Sequence, residues 1–204
     1  VHRIVLTLVM LVASAGALAQ TVPGAFTLTP YGGGSFGGTF EDEDSDLSVN
    51  LADSSAFGLI LDYQNAANTQ YELIYSRVST DADISGGTLA DIDLHTLQGG
   101  GTYQFDGDRI LPFIAATLGG TRVDAAGYDA DTFFSFSVGG GVQIAPSKRL
   151  GLRLEARAFG TLVRSGSSIF CVSDPAGGNA GCAITVAGDM LWQVQAMAGV
   201  VFRF

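Results

Sequence analysis

Residues Asp189 to Phe204 read DMLWQVQAMAGVVFRF and alternate with a period of two. One face carries Met190, Trp192, Val194, Ala196, Ala198, Val200, Phe202 and Phe204, while the other carries Gln193, Gln195, Met197, Gly199 and Arg203. Successive side chains of a strand point to opposite faces, whereas a helix repeats every three to four residues, so this stretch is a strand. Its apolar face is longer than a soluble strand needs, and its other face is too polar for a protein core. Hydrocarbon on one side and a wet or polar interior on the other account for both. Inside a bilayer every unmet N–H or C=O costs several kcal/mol, so such a strand needs a partner on each edge. The stretch therefore demands a closed barrel.

Working outward, the same alternation recurs along the chain. The clearest case is Arg149 to Val163, where Leu150, Leu152, Leu154, Ala156, Ala158 and Leu162 share one face and Arg153, Glu155 and Arg157 the other. Slipping this strand by one residue would put both arginines in lipid at roughly 2–4 kcal/mol each, so its register is well determined. Phe134, Phe136, Val138, Val142 and Ile144 oppose Ser135, Ser137 and Gln143. In Ile110 to Arg122, Ile114, Ala116 and Leu118 are assigned to lipid and Phe113, Thr117 and Thr121 to the interior. Leu97 to Phe105, Gln70 to Val78, Ser55 to Gln64 and a glycine-rich first segment from Phe26 complete the set. Arg77 falls on an apolar face and is placed at the membrane rim, where its stem can snorkel.

These segments predict an all-β chain, a closed eight-stranded antiparallel up-and-down transmembrane β-barrel. Its connections alternate, long at 41–54, 80–91, 123–131 and 165–188 and short at 65–69, 106–109 and 146–148. With both termini periplasmic, the short connections are periplasmic turns and the long ones external loops. Aromatic residues near strand ends, among them Tyr63, Tyr71, Tyr103 and Phe105, suit interface girdles.

The 204 residues suit one domain. The continuous apolar run Ile4 to Ala19 follows His2 and Arg3 and closes on Ala17-Leu18-Ala19. It reads as a cleavable secretory signal over 1–19, with the barrel domain over 20–204. Acidic residues outnumber basic ones, 20 against 10, which makes nucleic acid an implausible partner. Cys171 and Cys182 lie in the exported part, and an even pair in an oxidising compartment is most simply a disulfide, worth roughly 3 kcal/mol for a loop of this length. A metal pair is the competing reading and lacks nearby histidines.

The ending Gly199-x-x-Phe202-x-Phe204 resembles the terminal signal by which outer-membrane barrels are recognised for insertion, with Met197 where that signal prefers a polar residue. The stretches Leu111 to Ala116 and Ser135 to Gly141 also look like strands of the small eight-stranded outer-membrane barrel family, which includes the transmembrane domain of outer-membrane protein A, the OmpX/Ail group and OmpW. The resemblance covers about Ala25 to Phe204. It implies insertion by the barrel-assembly machinery into the outer membrane of a Gram-negative bacterium, lipid and lipopolysaccharide as surroundings, and no cofactor. It leaves the activity open, because this fold carries several roles.

Three places invite chemistry. Arg153, Glu155 and Arg157, with Asp62 and Glu72 facing the same interior, could gate a solute path. Side chains fill an eight-stranded barrel, so a buried charge network that plugs the lumen and pins its register is the favoured reading. The acidic run from Glu41 puts Asp42, Asp44, Asp46 and Asp53 at calcium-loop positions, but Leu47 stands where the sharp turn wants glycine. A solvated acidic loop is favoured there over a weak calcium site. His95 is followed two residues later by Leu97, not by the serine of a lipid-deacylase site. Gly32, Gly34 and Gly37 match a dinucleotide-loop spacing without a following helix, and that match is dismissed.

A non-enzymatic barrel with a structural or surface-interaction role follows, its external acidic loops contacting lipopolysaccharide or an unknown surface ligand. A narrow channel or OmpW-like conduit for small apolar solutes is the alternative, and a lipid-modifying enzyme the weakest reading.

Overall fold

Strands that carry one apolar and one polar face can satisfy both edges only by meeting end to end around a ring, and eight strands of this chain do so. The computed structural model describes residues 24–204 apart from 38, 42–47, 52, 85–86, 126–129, 145–146, 148, 163–167, 174–178 and 186–189. Its strands are β1 (Phe26–Phe36), β2 (Thr39–Glu41), β3 (Ser48–Leu51), β4 (Ser54–Gln64), β5 (Thr69–Ile84), β6 (Gly87–Gln104), β7 (Ile110–Ala125), β8 (Asp131–Ile144), β9 (Leu150–Leu162), β10 (Ser168–Ser173), β11 (Asn179–Thr185) and β12 (Met190–Arg203).

The barrel runs β1-β4-β5-β6-β7-β8-β9-β12, every pair antiparallel. It closes where β12 pairs with β1, from Thr27↔Arg203 to Phe36↔Val194. The Phe204 N–H donates to the Phe26 carbonyl at 2.9 Å, so pairing continues to the last residue. One end carries the short turns, the start of β1 and Phe204; the other carries the long connections.

Those long connections are more regular than their sequence implies. Of the expected loop 80–91, all but 85–86 belongs to the continuing β5–β6 hairpin, β2 and β3 lie within 39–51, and β10 pairs with β11 inside 165–188. An antiparallel ladder can extend beyond the membrane without an apolar face, and there the period-two signal vanishes while backbone pairing persists.

The outer wall is apolar. Phe57 and Leu118 are each 62% exposed and Tyr71 60%, an arrangement water would not tolerate over a whole barrel surface. Aromatic rings gather near both edges of this wall, with Phe26–Tyr63 centroids 4.9 Å apart and Tyr103–Phe105 5.2 Å apart at the turn end. Phe136 meets Trp192 edge to face at 5.5 Å toward the hairpin end.

The interior departs from the polar lumen expected. Toward the hairpin end Val78, Ile92, Leu94, Val123 and Leu191 point inward and are buried, and Val201 is buried nearer the turn end. A lumen only side-chain wide packs like a core, so polarity concentrates where charges need partners and hydrocarbon fills the rest. Tyr31, Ile60, Ile74, Phe159 and Met197 form the apolar cluster at mid-height.

Gly58 makes that cluster possible. A Cβ there would lie 2.1 Å from the Tyr75 carbonyl oxygen and 2.4 Å from Tyr31 Cζ, so the Tyr31 ring occupies the space a side chain would take. Tyr31 Oη then donates to the Tyr75 carbonyl at 3.3 Å. Gly58→Val is expected to destabilise the barrel by about 1–3 kcal/mol, read as a lower urea midpoint of the band that migrates apart from its boiled form. Gly99→Ala, whose added carbon meets only the Glu72 carbonyl oxygen at 4.0 Å, is expected to stay within about 0.5 kcal/mol of the parent.

Candidate functional site

β5 and β9 stand four strands apart in either direction around the ring, so they face each other across the lumen. Inward positions on them carry Glu72, and Arg153, Glu155 and Arg157, because alternation sends every second residue inside. Asp62 reaches the same space from β4, its register partner being Glu72.

These five side chains meet. Arg153 Nη2 donates to Glu72 Oε2 at 2.7 Å, its Nε to Glu155 Oε2 at 2.8 Å, and its Nη1 to Asp62 Oδ2 at 3.3 Å. Arg157 Nη2 lies 2.7 Å from Glu72 Oε1 and 2.6 Å from Glu155 Oε1, and its Nε donates to Glu155 at 2.7 Å. Glu72 thus takes one arginine on each oxygen, tying β5 to β9 across the lumen. Thr102 and Thr27 hydroxyls donate to Glu72 and Asp62 at 2.8 and 3.1 Å. The Phe113 ring sits 4.3 Å from Arg153 Cζ, covering the guanidinium with a π face.

The cost of taking five charges out of water is offset only by such pairing. Asp62 Oδ1 and Arg157 Nη1 are buried with no partner among the described residues, and bridging water suits both. Around the charges lie neutral polar pairs: Gln98 donates to Ser135 at 2.8 Å, Gln104 to Gln143 at 2.8 Å, Gln70 to Gln64 at 2.7 Å, and Ser76 to Gln195 at 3.1 Å. The Glu72, Asp62 and neutral contacts each fix one strand relative to another, while Glu155 meets both arginines within β9.

The other residues singled out in the sequence lie apart from this network. Gly199 faces inward on β12 between Tyr31 and Arg153 in register, Phe202 is half-buried and Phe204 is 79% exposed. Arg203, at the turn end, donates to the Ser147 carbonyl at 3.3 Å. Cys171 and Cys182 are register partners of the β10–β11 hairpin. Asp53 is exposed, and Asp42, Asp44 and Asp46 lie outside the described residues. His95 Nδ1 is 2.8 Å from Tyr75 Oη, on the outer wall.

Sequence reasoning missed Thr27, Thr102 and Phe113 as partners of the charges. Their inward phase was readable, but alternation says which face a residue takes and not which strand it meets across the lumen.

The fold has solved counterparts. Neisserial surface protein A is 16% identical, with 89% of this chain and 99% of that chain covered and a TM-score of 0.60. The outer membrane protein OprG from Pseudomonas aeruginosa is 13% identical, with 93% and 98% covered and a TM-score of 0.60. AlkL, solved in lipid bilayers, is 12% identical with 94% of each chain covered and a TM-score of 0.51. At such identities the likeness establishes the fold alone. No curated protein sequence matches the chain. The outer membrane protein beta-barrel domain, however, matches it over residues 5–204, and the chain is an outer-membrane β-barrel protein that belongs to that family.

Proposed function

We propose that this barrel is plugged and non-enzymatic, and that it acts through its long hairpins at the cell surface, where they contact lipopolysaccharide or a protein ligand. One observation carries the reading: Glu72 joins Arg153 and Arg157 across the full width of the lumen at 2.7 Å each, so the passage is crossed by ion pairs. In this reading the short turns and both termini face the periplasm. Gly199, Phe202 and Phe204 form the insertion signal read by the barrel-assembly machinery. Cys171 and Cys182 join as a disulfide, for which antiparallel register partners are spaced suitably.

The apolar lumen lining at the hairpin end, Val78, Ile92, Leu94, Val123 and Leu191, favours a second reading, a narrow conduit that admits small apolar solutes. The two readings separate by where function follows the chain. Ligand binding transferred with the hairpins supports the first, and solute passage transferred with the lumen supports the second.

Planar-bilayer recordings of demonstrably folded protein are expected to show no discrete conductance; reproducible steps that change in Arg153→Ala would give the conduit the lead. Glu72→Ala leaves two buried guanidiniums short of a partner and is expected to cost about 3–5 kcal/mol, measured by urea unfolding in detergent. Peptide mapping without reductant is expected to recover Cys171 and Cys182 in one linked fragment, and two separate fragments would remove the disulfide.

A further inference from the structure

Formal charge in the lumen does not balance. Asp62, Glu72 and Glu155 bring three carboxylates to the network while Arg153 and Arg157 bring two guanidiniums, so one negative charge is left over. None of the five side chains is more than 5% exposed. The next inward cation, Arg203 at the turn end, pairs in register with Thr27 and is half-buried. It gives Nη1 to the Ser147 carbonyl at 3.3 Å and makes no ion pair among the described residues. We propose that Asp62, with Thr29 beside it, binds a monovalent metal cation of the sodium or potassium class, which supplies the missing charge.

The surplus falls on Asp62. Glu72 sets one oxygen against each arginine at 2.7 Å, and Glu155 likewise takes Arg157 on Oε1 and Arg153 on Oε2. Asp62 has a single, longer ion pair, its Oδ2 lying 3.3 Å from Arg153 Nη1, and the same oxygen accepts from the Thr27 hydroxyl at 3.1 Å. Its Oδ1 is buried with no partner among the described residues. Water at that oxygen meets the need for a hydrogen bond but leaves the charge in place. A charge held away from bulk water without a counter-charge is far costlier than an unmet hydrogen bond.

A second orphan oxygen stands next to it. Thr29 is 1% exposed, and its Oγ1 also has no partner among the described residues. Thr27 is the register partner of Asp62, and Thr29 is the next inward residue of β1, so Thr29 and Asp62 are diagonal neighbours on adjacent strands. Side chains so placed have Cβ atoms about 7 Å apart, a gap that one ion can bridge from a carboxylate oxygen to a hydroxyl oxygen. The Thr29 methyl lies toward β12, where a Cβ added to Gly199 would be 2.8 Å from Cγ2, so the hydroxyl faces away from that strand. Carboxylate and hydroxyl oxygens are ligands for a hard cation.

The size of the surplus selects the valence. A monovalent ion brings the network to neutrality, whereas a divalent one would reverse its sign. Magnesium, moreover, sheds its water reluctantly, and a lumen filled by side chains has no space for a hydrated ion. The ion ties β1 to β4, and β1 is one side of the seam at which β12 closes the ring. The site goes beyond the surface role proposed above and does not rest on it, because Glu72 joins the two arginines across the lumen with or without the ion.

The test follows urea unfolding of the full folded protein in nonionic detergent while sodium chloride, or in a parallel series potassium chloride, replaces N-methylglucamine chloride at constant ionic strength. With one ion bound, the unfolding constant is expected to fall about tenfold for each tenfold rise in the metal ion above its dissociation constant. Asp62→Asn is expected to abolish that dependence. Thr29→Val is expected to move it to about tenfold higher ion concentration, and it carries the test should Asp62→Asn fail to fold. Arg203→Gln is expected to keep the dependence of the parent. A parent indifferent to both ions, or one that becomes responsive only when Arg203 is replaced, would overturn the proposal, the latter by making Arg203 the counter-charge. An undiminished response in Asp62→Asn would overturn it by placing the ion elsewhere. So would a parent that responds to pH alone and loses that response in Asp62→Asn, since the balancing charge would then be a proton.

Discussion

Everything in this chain depends on one constraint, that a backbone in hydrocarbon has no solvent to complete its hydrogen bonds. A soluble sheet can leave an edge in water. Here β1 and β12, the first and last strands in sequence, must find each other, and they pair from Thr27↔Arg203 to Phe36↔Val194. Helices are excluded as an alternative by the side chains themselves: a period of two, wound into a helix, would spread Arg153, Glu155 and Arg157 around the lipid-facing surface. Alternation and closure are thus two statements of the same physics, one about side chains and one about backbone.

Closure creates the second problem, a narrow interior whose contents must be satisfied without water to spare. The chain handles it in layers. Charges meet between β4, β5 and β9; neutral amides and hydroxyls pair around them, as Gln98 does with Ser135 at 2.8 Å; and apolar side chains such as Ile60, Ile74 and Met197 fill the middle. Because β5 and β9 are opposite each other, the Glu72 pairs act as struts across the ring rather than as staples along it. A shift of either strand would strand a charge on the wrong face, so the same contacts that cross the lumen also select the register.

What the sequence made legible follows from that division. Strand identity and the face each residue takes were readable down to single positions, Arg77 included, because lipid on one side imposes a strict period of two. The ends of the hairpins were not readable, since beyond the membrane β5 and β6 keep their ladder while losing the apolar face that announced it. The dry lining around Ile92 and Leu94 was hidden for a related reason. Alternation persists there with its sense reversed, Ile92 and Leu94 inward against Asp93 and His95 outward, so an apolar residue no longer marks the lipid face. The partners of the charges, Phe113 over Arg153 among them, depend on which strands stand opposite, and that is a property of the closed ring.

The same reasoning separates what the two surfaces of the barrel can contribute. The lumen is committed: its ion pairs are needed to bury the charges that set the register, and changing them for a new ligand would endanger the fold. The outer wall is constrained only to be apolar along its middle, leaving its edges free to vary strand by strand. Arg77, His95 and Arg122 occupy such an edge on three neighbouring strands, whereas Phe57 on the strand beside them is aromatic. A barrel of this size therefore has room to vary at the rim and in the hairpins above it, and among the described residues Arg77 and Arg122, paired with Asp93 and Asp124, mark one sector of that rim as charged.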